Sequence, residues 1–302
     1  MKNDTNKYTA EQKKNNQKVM VVTDSVAQVS LEIAKDFNIT VVPLTVTIEG
    51  ESFQDGINLN LKELYQRMRE EKITPTTTTP SPGEFFKVFQ KIVHRGYQEI
   101  LFISLSKKLS SCYDTACLAS EQIRQLYPQV KIKVLDSRTA GIAQGFVVYA
   151  ASRAALEGKS LPEVIAAAEE AIPRTGMVAE LGTLEYLARG GRIGKAAYLL
   201  GRMIDIKPIL TLDNKGIVSP LKQVRTEARA LQEMVIHVAK KVQGCKNYYL
   251  AILEADAPEQ AAKLTELVNQ KLKPTKLFKA VFTPVMGVHT GPDLVGLGYY
   301  YE

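Results

Sequence analysis

The chain has 302 residues, 45% of them hydrophobic and 24% charged, the proportions of a globular protein long enough for two ordinary domains. No apolar run approaches the length of a bilayer span, and the polar, lysine-rich start has no apolar stretch of the signal-peptide kind, so neither a membrane-spanning nor a secreted protein is expected. The net charge of +7 is local: residues 1–18 carry five lysines against Asp4 and Glu11, and Arg174 to Arg225 carry nine basic residues against four acidic ones.

Residues 1–17 read as a disordered polar tail. Val19-Met20-Val21-Val22 is then a short apolar run ending in Thr23-Asp24-Ser25, the pattern of a buried strand with small polar groups at its carboxyl end. A helix over 30–37, one or two strands over 39–48, a turn at 49–51 and a helix from Asn60 to about Glu71 follow. Thr76-Thr77-Thr78-Thr79-Pro80 is held extended by its proline. Ser81, Pro82 and Glu84 then form a capping box with proline at the first helical position, predicting a helix from Pro82 to about His94.

Glu99 to Ser104 is a strand ending in hydroxyls. Ser110-Ser111-Cys112 heads a helix to about Tyr127, with Ser110 as its expected cap. Lys131 to Leu135 is a strand ending in Asp136-Ser137, before a long helix from about Thr139 to Leu156. Three strands that end in polar residues and feed helices predict a doubly wound, mostly parallel sheet whose ligand edge carries those groups. Beyond the helix 161–171 the pattern changes: a strand 176–181, a short helix ended by Gly190-Gly191, a helix over 193–204, a hairpin turning at Asp213-Asn214-Lys215-Gly216, a helix 227–242, strands 248–254 and 277–283, and a glycine-rich end. The fold class is therefore α/β in two domains: an N-terminal doubly wound domain over 18–172 and a C-terminal α+β domain with a mixed sheet over 173–302.

Three groups could carry chemistry: Thr76 to Ser81, Ser110 at a helix start, and His289 among glycines, where backbone can approach a ligand closely. A hydroxyl row at a helix mouth suits an oxygen-bearing head group. The basic zone around 174–225 calls for an anionic partner, and without a nucleic-acid motif it predicts no nucleic-acid binding. No phosphate-binding glycine loop is present, so ATP binding is not expected. Cys112, Cys117 and Cys245 show neither CxxC nor zinc spacing, which predicts no metal site and fits a reducing cytoplasm.

Thr23-Asp24-Ser25, Thr76 to Phe85, Leu109 to Tyr113, Asp136-Ser137, Leu187 to Ile193, Lys207 to Leu210, Val224-Arg225-Thr226 and Gly296 to Tyr299 stand in the order of the DegV family, which the chain resembles from about residue 19 onward. The resemblance implies a bacterial fatty-acid-binding protein with no enzymatic activity and no cofactor of its own. A long-chain acid would lie in a buried apolar tunnel and be presented to a separate ATP-dependent fatty acid kinase, whose acyl phosphate product enters phospholipid synthesis. It carries carboxylate contacts to Thr77, Ser110 and His289, and kinase docking to Arg192 and Arg225; the basic zone would also permit brief contact with an anionic membrane surface. Two places depart from the family: Thr77-Thr78-Thr79-Pro80 replaces Thr-Ser-Gln-Pro, and Ser110-Ser111-Cys112-Tyr113 replaces Ser-Gly-Thr-Tyr. The apolar helical stretches 143–156 and 196–204 are candidate tunnel walls, with ordinary core the better expectation for any single residue in them.

A serine hydrolase is the alternative, with Ser110 as nucleophile, His289 as base and Asp24 or Asp136 as its orienting carboxylate. Against it, the residues around Ser110 lack the G-x-S-x-G elbow.

Overall fold

The computed structural model describes residues 17–203, 206–280 and 282–302; most of the expected polar tail, residues 1–16, lies outside them. Gln17 is already anchored, donating to the Val19 carbonyl at 2.9 Å and accepting from Asn38 at 2.8 Å.

The first sheet is wholly parallel, in the order β2 (Ile39–Val42), β1 (Val19–Asp24), β6 (Glu99–Ser104), β7 (Lys131–Asp136). Every residue of β1 is buried, as the continuous apolar run of a central parallel strand requires. Because β1, β6 and β7 run in one direction, their polar ends collect on one edge, as their sequences predict. Helices pair beside the sheet: α3 (Pro82–His94) against α4 (Cys112–Leu126), and α5 (Gly141–Leu156) against α6 (Leu161–Ala171).

The apolar stretch 39–48 is two strands in two sheets. Proline at 43 has no amide hydrogen to give a ladder, and β3 (Thr45–Ile48) leaves to pair antiparallel with β4 (Glu51–Gln54) and with β5 (Thr76–Thr78). The threonine row is thus an edge strand with Thr77 opposite Val46. The capping box beyond it forms in both halves: Glu84 N–H donates to Ser81 Oγ at 3.3 Å and Ser81 N–H to Glu84 Oε2 at 2.7 Å.

The second sheet is mixed, ordered β10 (Val218–Val224), β9 (Lys207–Leu212), β8 (Thr175–Glu180), β13 (Leu294–Tyr301), β11 (Tyr248–Ala255), β12 (Lys276–Lys279); only β11 and β12 run parallel. One face packs on α8 (Glu227–Lys241) and α9 (Pro258–Lys271), closing a core that includes Val178, Ile209, Leu231, Leu264 and Leu297. The other face joins the core of the first domain through Leu210, Ala251, Leu253 and Leu294. Strand alternation produces this division: in β8, Val178 belongs to the helix-side core, while Met177 and Ala179 face the neighbouring domain and keep some exposure there.

Two elements sharpen or depart from expectation. The helix expected over 193–204 forms at 194–202 as a 3-10 helix; its buried residues, Ala196 and Leu199, are three apart, the period of that tighter helix. The strand expected over 277–283 ends at Lys279, and the chain then turns into the short helix α10 (Pro284–Thr290), which carries His289.

Candidate functional site

An apolar tunnel runs between the two domains. Its walls come from β8 (Met177, Ala179), β9 (Leu210, Leu212) and α10 (Val285, Met286), with Leu44, Leu105, Leu109 and Leu253. Neither apolar stretch offered as a candidate wall contributes: among the described residues, no side chain of 143–156 or 196–203 lines it, and the better expectation of ordinary core holds. Residues of α5 such as Val147, Val148 and Ala151 are consumed in the core of the first domain.

At one end the tunnel meets hydroxyls. Thr77, Thr78, Thr79, Ser110, Arg192 and His289 all border it. The structure therefore brings Thr77, Ser110, His289 and Arg192 together, while Arg225, exposed after β10, is not among the lining residues. Thr77 Oγ1 and His289 Nε2 lie 2.8 Å apart, and Thr79 Oγ1 and Ser111 Oγ 3.4 Å apart, so the threonine strand touches both other groups. Helix α4 starts at Cys112 with Ser111 in the capping position, one residue later than expected. Ser110 Oγ accepts the Cys112 N–H at 3.2 Å, which leaves its own hydroxyl hydrogen to give to a ligand.

His289 is held from two sides. Asp55, on the loop after β4, is buried, and its Oδ1 accepts the Val285 N–H at 2.8 Å, fixing the first turn of α10. Burial raises the Asp55 carboxyl above its ordinary range. Gly190 lets the imidazole lie against backbone: a Cβ there would stand 2.5 Å from His289 Nδ1. Desolvation, helped by the nearby charge of Arg192, lowers His289 from about 6.5 to about 4, so the ring is neutral at pH 7. Arg192 itself donates to the Leu109 carbonyl at 2.9 Å and to the Gly190 carbonyl at 2.5 Å, tying the Ser110 loop to the second domain.

Thr77, Arg192 and His289 border a second space as well, a polar vestibule that also includes Thr76, Tyr186 and Arg189. They form a partition between an apolar space and a polar one. Such a partition suits a ligand with a greasy body and an anionic tip. Neutral imidazole and hydroxyls can each donate one hydrogen bond, and a guanidinium supplies positive charge.

Asp24 supports the site from beneath. Its carboxylate accepts from Val26 N–H at 3.1 Å, Leu105 N–H at 2.8 Å and Gln144 Nε2 at 3.0 Å. Full burial outweighs these bonds and pushes its carboxyl up to about 7. Asp136 accepts from the Lys107 and Arg138 amides. Neither carboxylate bonds His289, whose Nδ1 has no partner among the described residues. The hydrolase alternative thus lacks the carboxylate-oriented base that a Ser-His-Asp relay requires. Gln144 and Asp55 were not singled out in the sequence; each acts over more than a hundred positions, and no local pattern marks them.

Among the described residues no cluster of His, Cys, Asp and Glu is suited to a metal ion, and no helix is long and apolar enough to cross a membrane.

The model of one protein family, described as "Uncharacterised protein, DegV family", matches residues 18–302. A DegV domain-containing protein of Clostridium acetobutylicum is 34% identical over 284 residues, covering 94% of this chain and 98% of that protein. Another, from Caldanaerobacter subterraneus subsp. tengcongensis, is 30% identical over 281 residues, covering 93% and 98%. Among solved structures, a DegV family protein from Thermus thermophilus described by its fatty acid binding superposes with a TM-score of 0.88 at 28% identity, over 94% of this chain and all of that one. A stearic-acid-binding protein from Eubacterium ventriosum gives 0.85 at 25% identity, over 94% and 98%.

Proposed function

From the premise that this chain belongs to the DegV family, which the match over residues 18–302 shows, we propose that it binds a long-chain fatty acid in the interdomain tunnel. Its carboxylate is held by Thr77, Ser110 and His289. The observation that carries this reading is the partition itself: an apolar tunnel ends on hydroxyls, a neutral imidazole and an arginine that also face a polar vestibule.

The energetics divide the labour. Burial at roughly 0.8 kcal/mol per CH₂ gives an ordinary acyl chain on the order of 10 kcal/mol before the costs of association. Hydrogen bonds to the carboxylate mainly offset its removal from water. The tail supplies affinity and the head supplies orientation.

The vestibule gives the carboxylate an outlet, and this supports a carrier role. A separate ATP-dependent fatty acid kinase approaches from that side and phosphorylates the held acid to an acyl phosphate. Docking falls to the basic zone. Arg225 is exposed there, whereas Lys195, Lys207 and Lys222 already face Asp213, Glu180 and Glu233. Arg192 has a double position, bonded within the site and bordering the vestibule.

Two measurements test this. Mass spectrometry of lipid extracted from protein purified without added ligand should find one equivalent of long-chain acid; its consistent absence, together with failure to take up added acid, would refute the binding function. Arg225→Ala should leave the acid content intact and slow acyl phosphate formation by a cognate kinase, and an unchanged rate would remove the docking role.

A further inference from the structure

Gln28 follows the short 3-10 turn Ser25–Ala27 in the left-handed backbone region, at φ 55°. The residue is 4% exposed, and neither Nε2 nor Oε1 has a hydrogen-bond partner among the described residues. A buried carboxamide left without partners costs free energy that an apolar side chain would not. Its neighbours locate it. Around the point where a Cβ of Gly141 would stand, Met177 Sδ lies at 3.3 Å, Met286 Cε at 3.5 Å and Gln28 Oε1 at 3.7 Å. Met177 and Met286 both line the tunnel, as do Val26, two positions before Gln28, and Ala140, the neighbour of Gly141 in sequence. The orphan amide and two thioether side chains of the tunnel wall therefore converge on one point beside Gly141, and the thioethers are unbranched and readily change rotamer.

Resting on the fatty-acid reading above, we infer that Gln28 is a specificity-determining residue for an oxygen substituent on the acyl chain, a hydroxyl or keto group far from the carboxylate. A hydroxyl both donates and accepts, which matches the one free donor end and one free acceptor end of the carboxamide. An unsubstituted chain leaves both ends unanswered. Met177 and Met286 move aside to admit the substituent and close over a plain methylene chain.

The test uses delipidated full-length protein and titration calorimetry with stearic acid and with monohydroxystearic acids bearing the hydroxyl near the carboxyl group, mid-chain or near the methyl end. All hydroxy isomers share one desolvation cost, so comparison among them isolates the site. One isomer should bind about tenfold tighter than the others, the worth of about 1.4 kcal/mol of recovered hydrogen bonding. Gln28→Met, close in shape and without the amide, should bring the isomers level and keep stearic acid binding. Should Gln28→Met fail to fold, Gln28→Asn suits the left-handed backbone and withdraws the amide from reach, with the same expected result. Equal affinities for all isomers in the wild-type protein, or a preference that survives loss of the amide, would overturn the role of Gln28 and leave fatty-acid binding standing. Failure of every acid to bind, stearic acid included, would instead sink the parent reading.

Discussion

Thr77 Oγ1 and His289 Nε2 lie 2.8 Å apart although 212 positions separate them in the chain. One comes from an edge strand of the small antiparallel sheet, the other from a short helix whose first turn is held by Asp55. The pair therefore exists only when the two domains are docked, and a carboxylate held by it is also held by both domains. Thr77→Val keeps the shape and removes the hydroxyl. It should weaken long-chain acid binding by about tenfold or more, a hydrogen bond to a charged group being worth about 1.5–3 kcal/mol. Thr77→Ser should restore most of the loss; equal affinity in wild type and Thr77→Val would remove Thr77 from the site.

His289 offers a spectroscopic test. Its imidazole should titrate near 4 in the delipidated protein, and a carboxylate placed against it should move that value upward, since a nearby negative charge favours the imidazolium. Proton NMR of the three histidines across pH 3.5–8, with and without acid, reads both values directly.

The same group makes stability pH-dependent. Unfolded, the ring titrates near 6.5; folded, near 4. Between these values only the unfolded chain takes up the proton, so the stability His289 contributes is full above 6.5 and lost as pH falls to 4, by up to about 3 kcal/mol. Asp24 acts oppositely: its carboxyl is raised to about 7, so its contribution is present at low pH and lost as pH rises through 7. Comparison with His289→Gln isolates the histidine. The wild-type protein should lose thermal stability relative to this variant as pH drops from 6.5 to 4, and parallel profiles would contradict the burial assigned to the ring.

Gly190→Ala probes the close approach of the imidazole. Gly190 has φ −74°, open to any residue, so the penalty is steric: chiefly contact with the ring, with a tighter-than-usual 3.2 Å approach to the Tyr186 carbonyl. The imidazole can swing away, and the expected result is a folded protein with near-normal melting temperature and acid affinity reduced about tenfold or more, comparable to loss of one carboxylate bond.

Ala179→Phe should plug the tunnel. Ala179 faces it from near the end of β8, so a larger side chain there enters existing space and overpacks little core. Long-chain acid should be excluded from the purified protein while circular dichroism stays native. Retention of a full equivalent of long-chain acid would place the acyl chain elsewhere.

Local patterns in the sequence were a good guide wherever a residue's role is set by its neighbours. The Ser81–Glu84 box, the turn at Asp213 to Gly216 and the polar ends of β1, β6 and β7 all read correctly, because capping, turn chemistry and strand burial are decided within a few positions. The apolar helical stretches left two readings open, since periodicity reports that a face is buried and not what it is buried against: α5 packs into the first core, the better expectation for its residues, and the tunnel is walled largely by strands. The meeting of Thr77, Ser110 and His289 came from resemblance to a family and from no spacing rule. Asp55 and Gln144 stayed hidden for a related reason, their partners lying 230 and 120 positions away.

One contact bears on how such proteins can be rebuilt. Ser106 Oγ donates to the Gly216 carbonyl at 2.8 Å, and a Cβ on Gly216, at φ +76°, would stand 2.1 Å from that oxygen. The hairpin tip of one half is therefore moulded to a loop of the other with no clearance. A hybrid assembled from the front of one relative and the back of another would inherit an ill-matched buckle, and grafting should succeed only where both loops travel as a set.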